Sequence, residues 1–288
     1  MELWVFAVTL LVNLEGTNEM TWLGLQDKRV VVTGGAGGIG TAIVKELLTH
    51  GCSVLAVGRC ADKGNDLLNA VNDDKHLSFH ECDVAKSEEV ERLFKYVSVT
   101  GGLYALVNNA GINIPRRLVD PEGAEELTEE IWDSIIDVNQ KGPFLCSQAA
   151  VKIMLKNKTS GVVLNIVSEA GTEGSQGQSA YAASKAALYA MSRSWAKELG
   201  PYGIRCVGLA PGVIEQTDLR SEEYDRALAY ARDISVPAIS SDYVSRSIPL
   251  RRVGTLQEVA DSVAFLISSR AAYVHGTVLN LTGGKSRA

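Results

Sequence analysis

Residues 33–40, Thr-Gly-Gly-Ala-Gly-Gly-Ile-Gly, constrain the fold of this chain more than any other stretch. Five glycines fall within seven positions, between an apolar run at residues 29–32 and a helix-like run at residues 41–48. Glycines there allow a tight turn and the close approach of a bulky group, and the first N–H groups of the helix can bind an anion. A flexible glycine turn is the plain alternative. The strand before and the helix after instead favour the phosphate-binding loop of a dinucleotide site.

Strand-like and helix-like segments alternate along most of the chain. Strands are predicted at residues 30–33, 53–57, 77–80, 104–108, 162–167, 204–209 and 277–281. Helices are predicted at residues 39–50, 88–97, 129–138, 144–156, 181–199 and 256–267, and Thr255 with Glu258 predicts a capping box on the last one. Strands rich in Val, Ile and Leu that alternate with helices predict a parallel sheet buried on both faces. The predicted fold class is therefore α/β, a single doubly wound (Rossmann) domain with about seven strands and helices on both faces.

Charge and cysteine usage narrow the function classes. The formal net charge of −6 argues against nucleic acid or an anionic membrane as a partner. The five cysteines are scattered and show neither CxxC pairs nor metal-ligand spacing. We therefore expect no metal site, and a reducing compartment, the cytoplasm.

The first nineteen residues differ in character from the rest. Residues 3–14 are mostly apolar, but this run is too short to span a bilayer and no basic residue precedes it. Met20 looks like a more natural first residue for the folded domain. We interpret residues 1–19 as an N-terminal extension outside the fold and residues 20–288 as one domain.

Ligands of a doubly wound sheet bind at the carboxyl ends of its strands. The chain carries polar or glycine-containing turns at these points: Gly58-Arg59, Asp83-Val84, Asn108-Asn109-Ala110-Gly111, Ser168 and Pro211-Gly212. Gly58-Arg59 is where the adenosine ribose should lie, and Asp83 is suited to meet the adenine amino group. Asn108-Asn109-Ala110-Gly111 by itself could be a plain turn.

Tyr181 and Lys185 lie four residues apart at the start of a predicted helix and therefore share one face. A cation beside a phenol favours the phenolate and lowers the tyrosine pKa, as general acid–base catalysis requires. Ser168 ends the preceding strand, where its hydroxyl can bond a substrate oxygen, and Asn139 can anchor a water beside Lys185. A solvated lysine on a helix face is the alternative for the pair taken alone.

The order of these motifs resembles the short-chain dehydrogenase/reductase family over residues 22–284. The resemblance implies hydride transfer between nicotinamide C4 and a carbinol or carbonyl carbon, without a metal. It also implies that Tyr181 shuttles the proton and Ser168 holds the oxygen. Lys185 would depress the tyrosine pKa and bind the nicotinamide ribose, and Asn139 would hold the water of a proton relay.

The strand-end rule and the resemblance together give two sets of binding residues. The predicted cofactor contacts are Gly34, Gly37, Gly38, Ile39, Gly40, Arg59, Asp83, Val84, Asn109, Ala110, Gly111, Tyr181, Lys185, Pro211, Gly212 and Ile214. The predicted substrate contacts are Arg116, Ser168, Glu169 and Tyr181. Arg116 is the cation best placed for a substrate phosphate, whereas Arg117 is expected to face solvent; a solvated loop pair is the alternative for both.

Longer stretches, among them residues 113–120, 168–179 and 282–287, resemble the subgroup of sorbitol-6-phosphate 2-dehydrogenases. This implies a polyol or ketose substrate, sorbitol 6-phosphate or fructose 6-phosphate. The alternatives are a reductase of an unphosphorylated ketose, a keto-acid or a 3-oxoacyl thioester, and a non-catalytic module that senses NAD(P). Residues 214–248 should decide among substrates if they close over the site, but they could also form a surface helix pair.

The cofactor is predicted to be NADP or NAD, and the residues favour NADP. NAD-preferring proteins of this fold end strand two with an acidic residue, where this chain has Gly58 followed by Arg59. A guanidinium there suits a 2′-phosphate. Against this, Gly37 occupies a position that is often basic in NADP-dependent relatives, and Asp62 could pair with Arg59.

Assembly is predicted from the helices at residues 144–156 and 181–199. Both carry apolar and small residues around more of their circumference than one sheet can cover, and Ala183, Ala187 and Ala190 would allow close helix–helix approach. We expect a homo-oligomer, a tetramer, as is usual in the family that the chain resembles.

Overall fold

A parallel sheet forms the centre of the protein. The computed structural model describes residues 22–71, 75–123, 125–215, 217, 221–239 and 242–286, so the predicted extension, residues 1–19, lies outside the described residues. The strands are β1 (Arg29–Thr33), β2 (Ser53–Gly58), β3 (Leu77–Glu81), β4 (Ala105–Asn108), β5 (Val162–Ile166), β6 (Arg205–Pro211) and β7 (Val278–Leu281). The seven-stranded order is β3-β2-β1-β4-β5-β6-β7, with every neighbouring pair parallel. The predicted doubly wound fold is confirmed.

Helices connect the strands on both faces of the sheet. They are α1 (Gly38–Thr49), α2 (Ala61–Val71), α3 (Ser87–Val99), α4 (Glu129–Ile136), α5 (Gly142–Lys156), α6 (Ala170–Glu173), α7 (Ser179–Leu199), α8 (Glu222–Ala231), α9 (Asp242–Ser247) and α10 (Leu256–Ile267). The predicted capping box at the start of α10 is present.

Alternate residues of β1 show why the strand sequences are almost continuously apolar. Val30 and Val32 pack in one fully buried cluster with α1 and α10, and Val31 packs in another with α3 and α5. A strand covered on both faces has no solvent-facing positions. Each such side chain contributes about 1.5–3 kcal/mol relative to leaving it exposed.

The sheet has its topological switch point where β1 pairs with β2 on one side and with β4 on the other. The chain therefore leaves β1 and β4 in opposite directions, which opens a crevice between their carboxyl ends. The glycine loop after β1 and the turn after β4 both lie at this crevice.

The structure adds to the sequence prediction at several helices. Helix α2 was not predicted, because its Lys, Asn and Asp residues weaken the apolar pattern. The helices predicted at 129–138 and 144–156 are joined by a π-helical turn at Asp137–Lys141, which carries Asn139. Residues 214–248, where the sequence allows either a segment that closes over the site or a surface helix pair, contain α8 and α9.

Candidate active site

The glycine loop folds against the turn that follows β4. Gly34 has φ +65°, and a Cβ atom there would lie 2.9 Å from Ala110 Cα. A Cβ on Gly40 would overlap the Gly34 carbonyl oxygen, so α1 and the loop can meet only through glycine. Gly37 precedes α1 as its N-cap, and nothing lies within 4 Å of a Cβ built there. The loop is thus closed on its inner side and open above the helix N-terminus.

Thr33 and Asn109 fasten this loop to the β4 turn. The Thr33 hydroxyl accepts hydrogen bonds from the backbone N–H groups of Asn109 and Ala110, each at 3.1 Å. The Asn109 amide donates to the carbonyls of Thr33 and Gly34 at 3.0 and 3.1 Å. Asn109 and Ala110, two of the predicted cofactor contacts, therefore lie beside the loop. Thr33 was counted in the glycine-rich stretch, but its role in holding the turn was not predicted.

Asn139 is fully buried in the π-helical turn. Its Oδ1 accepts a hydrogen bond from Ile112 N at 2.8 Å, and its Nδ2 donates to Ile112 O at 2.8 Å and to Ser184 Oγ at 3.2 Å. A Cβ on Gly111 would lie 3.3 Å from Asn139 Oδ1 and 3.6 Å from Lys185 Nζ. Asn139 therefore holds the 111–112 loop against the lysine. Ser184 was missed, because a serine inside a helix carries no signal for this bond.

Tyr181 and Lys185 lie side by side near the start of α7, as their spacing predicts. The Lys185 ammonium lies 5.7 Å from the centroid of the Tyr181 ring and donates a 2.8 Å hydrogen bond to Ile166 O, at the end of β5. Lys185 is buried, and burial lowers its pKa to about 8. Its ammonium is thus fixed at the carboxyl edge of the sheet by a backbone carbonyl.

The pKa of Tyr181 corrects one expectation. Burial raises the pKa of Tyr181 to about 12, while the side-chain hydrogen bond with Ser168 acts in the opposite direction. The expected lowering of this pKa by Lys185 is not seen, because the ammonium bonds Ile166 O and desolvation of the phenolate dominates. Ser168 lies where predicted, beyond the end of β5, with its hydroxyl beside Tyr181.

Glu169, a predicted substrate contact, forms a buried ion pair that the sequence did not reveal. Lys285 Nζ, in the segment after β7, lies 2.6 Å from Glu169 Oε1 and 3.4 Å from Glu173 Oε2. Burial raises the pKa of Glu169, and Lys285 lowers it. The partners are 116 residues apart, so no local pattern could indicate the contact.

The two arginines after β4 both carry partners. Arg116, the predicted phosphate contact, has its Nη1 2.6 Å from Glu125 Oε2. Arg117 was expected to face solvent, but its guanidinium pairs with Asp233 at 2.5 Å. The guanidinium also lies 4.6 Å from the centroid of the Tyr230 ring and donates a hydrogen bond to the Tyr230 carbonyl. Arg117 therefore ties the loop to the end of α8.

A polar cluster formed by Asn113, Gln178 and Tyr224 lies beside Tyr181. Gln178 Nε2 donates to the Tyr224 hydroxyl at 2.7 Å, and Asn113 Nδ2 donates to it at 3.4 Å. The Tyr224 hydroxyl is near enough to Tyr181 to affect its pKa. Helix α8 thus contributes to the site, and the polar cluster was found only from the fold.

The remaining predicted cofactor residues lie along the same edge. Arg59 is exposed just after β2, and no ion pair joins it to Asp62 or to another residue in the described part of the chain. Asp83 Oδ1 accepts from Ala85 N at 3.0 Å, and Val84 is buried. Gly38 and Ile39 begin α1, Pro211 ends β6 and Gly212 follows it, and Ile214 forms a bridge with Gly254.

These residues fit a dinucleotide. The space above Gly37, which a Cβ would fill, lies at the N-terminus of a twelve-residue helix, where N–H groups favour an anion. The buried cation of Lys185 lies beside Gly111, the last residue of the turn after β4.

No group of three or more His, Cys, Asp or Glu side chains among the described residues is arranged to hold a metal ion. None of the helices in this part of the chain combines the length and the apolar character needed to cross a membrane.

Comparison with known proteins agrees with this geometry. The profile of the short chain dehydrogenase family matches residues 28–227. The chain is 46% identical over 276 residues to the sorbitol-6-phosphate 2-dehydrogenase of Klebsiella pneumoniae, covering 93% of this chain and 99% of that protein. It is 33% identical over 263 residues to a 3-oxoacyl-(acyl-carrier-protein) reductase of Chlamydia muridarum, covering 90% and 98%.

A solved structure supports the fold independently. The crystal structure of a short-chain dehydrogenase/reductase, a glucose/ribitol dehydrogenase from Brucella melitensis, superimposes with a TM-score of 0.79 at 24% identity, over 91% of this chain and 98% of that one. At this identity the likeness concerns the fold alone. From the family profile and the curated relatives, the chain belongs to the short-chain dehydrogenase family and is an NAD(P)-dependent oxidoreductase.

Proposed function

We propose that this enzyme interconverts a polyol phosphate and a ketose phosphate, sorbitol 6-phosphate and fructose 6-phosphate, with Tyr181 as the proton donor and acceptor. The observation that carries the proposal is the convergence of Tyr181, Ser168, Lys185 and Asn139 at the carboxyl ends of β4 and β5. The name of the Klebsiella pneumoniae relative, 46% identical, supports the substrate.

The residues of the site suit reduction of a ketone. A bound nicotinamide cofactor supplies or accepts the hydride. With its pKa raised to about 12, Tyr181 carries its proton at neutral pH and can donate it to the carbonyl oxygen as an alkoxide forms. The Ser168 hydroxyl is close enough to Tyr181 to bond the same oxygen. In the reverse direction the Tyr181 phenolate, the form left after its proton is lost, accepts the proton of the carbinol.

Lys185 and Asn139 assist this proton transfer without contacting the substrate oxygen themselves. Lys185 holds a positive charge 5.7 Å from the Tyr181 ring, and this charge offsets part of the cost of forming the buried phenolate, in which desolvation remains the larger influence. The side-chain amide of Asn139 forms its hydrogen bonds with Ile112 and Ser184. We therefore propose that Asn139 keeps the 111–112 loop against Lys185, which is a different task from the predicted anchoring of a water.

The polar cluster favours a hydroxylated substrate over an acyl chain. Amide and phenol groups from Asn113, Gln178 and Tyr224 lie beside Tyr181 and bond one another. Asn113 Oδ1 is buried with no donor among the described residues, so a substrate hydroxyl could satisfy it and an alkyl chain could not. Arg116 remains the proposed phosphate contact. Because Glu125 pairs with it at 2.6 Å, a substrate phosphate would have to exchange with that carboxylate.

A panel of substrates tests the proposal. Oxidation of NADPH and of NADH is followed with fructose 6-phosphate, fructose, a short keto-acid and an acetoacetyl thioester. We expect the highest kcat/KM with fructose 6-phosphate. Equal values for fructose and fructose 6-phosphate would rule out phosphate recognition, and a preference for the thioester would reassign the enzyme to the activity named for the Chlamydia muridarum relative.

NADP is the proposed cofactor. Gly58 leaves no carboxylate at the end of β2 to repel a 2′-phosphate, and the exposed Arg59 follows it. A guanidinium can contact a phosphate through two parallel hydrogen bonds. The relative rates with NADPH and NADH in the same panel test this choice.

We also propose a tetramer in the cytoplasm. Phe144 on α5 is 42% exposed and Leu155 is 40% exposed, and Ala183 and Ala190 on α7 are exposed as well. Apolar groups exposed on two neighbouring helices favour pairing with a second copy. All five cysteines are free, as in a reducing compartment. Light scattering at micromolar concentration tests the assembly, and a monomer mass would contradict it.

A further inference from the structure

We propose that Lys285 is a positioning residue for the substrate: from the segment after β7 it fixes the Glu169 carboxylate so that Oε2 accepts a hydrogen bond from a hydroxyl beside the reacting carbon. This inference rests on the proposed function, since it requires a polyol or ketose substrate. It makes the C-terminal segment part of the substrate site.

The Glu169 carboxylate is buried and only half satisfied. The residue is 8% exposed, and its Oε1 accepts a 2.6 Å hydrogen bond from Lys285 Nζ. Oε2 is shielded from solvent, and none of the described residues donates a hydrogen bond to it. Buried carboxylate oxygens in proteins normally have a donor, so this oxygen is suited to a donor supplied by a ligand.

The position of Oε2 points to the substrate. Glu169 follows Ser168 directly, and a Cβ built on Gly212 would lie 3.2 Å from Oε2. The oxygen therefore lies between the ends of β5 and β6, on the side of the crevice that holds Tyr181. A polyol or ketose carries hydroxyl groups on the carbons next to the reacting one, and such a hydroxyl is a donor of the right kind.

Lys285 reaches Glu169 because the segment after β7 is folded back. Leu250 N donates to Gly283 O at 3.1 Å, and Lys285 N donates to Thr282 O at 3.2 Å. Ser286 N donates to the Thr282 hydroxyl at 3.3 Å. These bonds hold the ammonium over the carboxylate, so the rotamer of Glu169 is set by a contact from the end of the fold.

The charges around Glu169 make the ion pair necessary. Glu173 lies near the same ammonium, and Tyr181 and Tyr189 are near enough to the carboxylate for it to raise the pKa of each phenol. Burial raises the pKa of Glu169, and Lys285 is the group that lowers it. Without Lys285 the carboxyl group would bind a proton at higher pH, and as a neutral group it would be a weaker acceptor for a hydroxyl.

The test compares Lys285→Met, Lys285→Arg and, as a control, Lys197→Met, a lysine in the last turn of α7. Reduction of fructose 6-phosphate is compared with that of 1-deoxyfructose 6-phosphate, which lacks the hydroxyl next to the carbonyl. In wild type we expect the hydroxyl to improve kcat/KM by about tenfold or more, as for a hydrogen bond to a charged group. Lys285→Met should lose this preference, mainly through KM, and Lys285→Arg should recover part of it.

A pH profile separates positioning from a merely structural role. In Lys285→Met the acid limb of kcat/KM should move to higher pH, because the Glu169 carboxyl is then protonated more easily; Glu169→Gln should show neither this limb nor the hydroxyl preference. The inference alone is overturned if the wild type reduces both ketoses and Lys285→Met keeps both the wild-type preference for the hydroxylated ketose and the wild-type pH profile. The inference is also overturned if Lys285→Met weakens NADPH binding by a larger factor than it raises the KM for the ketose. A wild type inactive on both ketoses overturns the proposed function as well.

Discussion

Replacing Asn139 with alanine is expected to destabilise the protein by about 2–4 kcal/mol and to lower kcat. The Asn139 side chain makes three hydrogen bonds: it accepts from Ile112 N and donates to Ile112 O, both at 2.8 Å, and donates to Ser184 Oγ at 3.2 Å. It is fully buried in the turn between α4 and α5. Alanine removes all three bonds and supplies no substitute.

The magnitude follows from the groups left behind. Each of the two Ile112 backbone groups loses its side-chain partner, at about 1–3 kcal/mol for a buried group. Because Ile112 is only half-buried, about 1–2 kcal/mol for each is appropriate. Ser184 keeps its 2.7 Å hydrogen bond to Tyr181 O and adds little. The fall in kcat follows because the 111–112 loop is no longer held against Lys185.

Urea unfolding measures the effect, as a lower midpoint with an unchanged m-value. Asn113→Ala is the matched control: its amide makes one long hydrogen bond, 3.4 Å, to the Tyr224 hydroxyl. We expect that change to cost less than about 1 kcal/mol. Equal shifts in the two variants, or a loss below about 1 kcal/mol in Asn139→Ala, would refute the reasoning from orphaned backbone groups.

Tyr181→Phe should lower kcat by about 10²–10⁴-fold, because only the proton-carrying hydroxyl is removed, and its circular dichroism spectrum should match that of the wild type. Wild-type turnover in this variant would contradict the role of Tyr181 as proton donor. Arg59→Ala should weaken NADPH binding by about tenfold or more and NADH binding less, as measured by calorimetry; equal losses would argue against 2′-phosphate recognition. Deleting residues 1–19 should leave Tm and kcat/KM unchanged, and a large fall in either would show that the extension contributes. The pKa of Glu258 is lowered from 4.5 to about 2, first by Arg252, so its contribution to stability is full above pH 4.5 and is lost as the pH falls toward 2. The Tm difference between wild type and Glu258→Gln should therefore shrink over that interval, and a constant difference would count against the ion pair.

The arginines after β4 show where reasoning from sequence stops. Arg116 and Arg117 are adjacent and both looked accessible to a ligand or to solvent. Their partners, Glu125 and Asp233, come from a loop nine residues on and from the end of α8 more than a hundred residues on. Whether a charge on a loop is free depends on which segments the fold brings beside it.

Tyr181 and Lys185 show that the protonation state of a side chain is equally hard to predict from sequence. Spacing of four residues on a helix correctly predicts that they share a face, since helix geometry is local. The protonation of each group depends on its burial, and burial raises the pKa of Tyr181 and lowers that of Lys185. Burial is a property of the packed protein and has no signature in the heptapeptide around either residue.

The sequence by itself determined the parallel sheet, its seven strands to within two residues at each end, and the polar and glycine-containing turns at the strand ends, because strand and helix periodicity and the glycine loop are encoded locally. Only the tertiary structure decided that Asn139 holds Ile112, that α8 contributes Tyr224, and that Lys285 pairs with Glu169. Each of these contacts joins segments between 27 and 116 residues apart. Such contacts are selected by packing and by the satisfaction of buried polar groups, which depend on the whole chain at once.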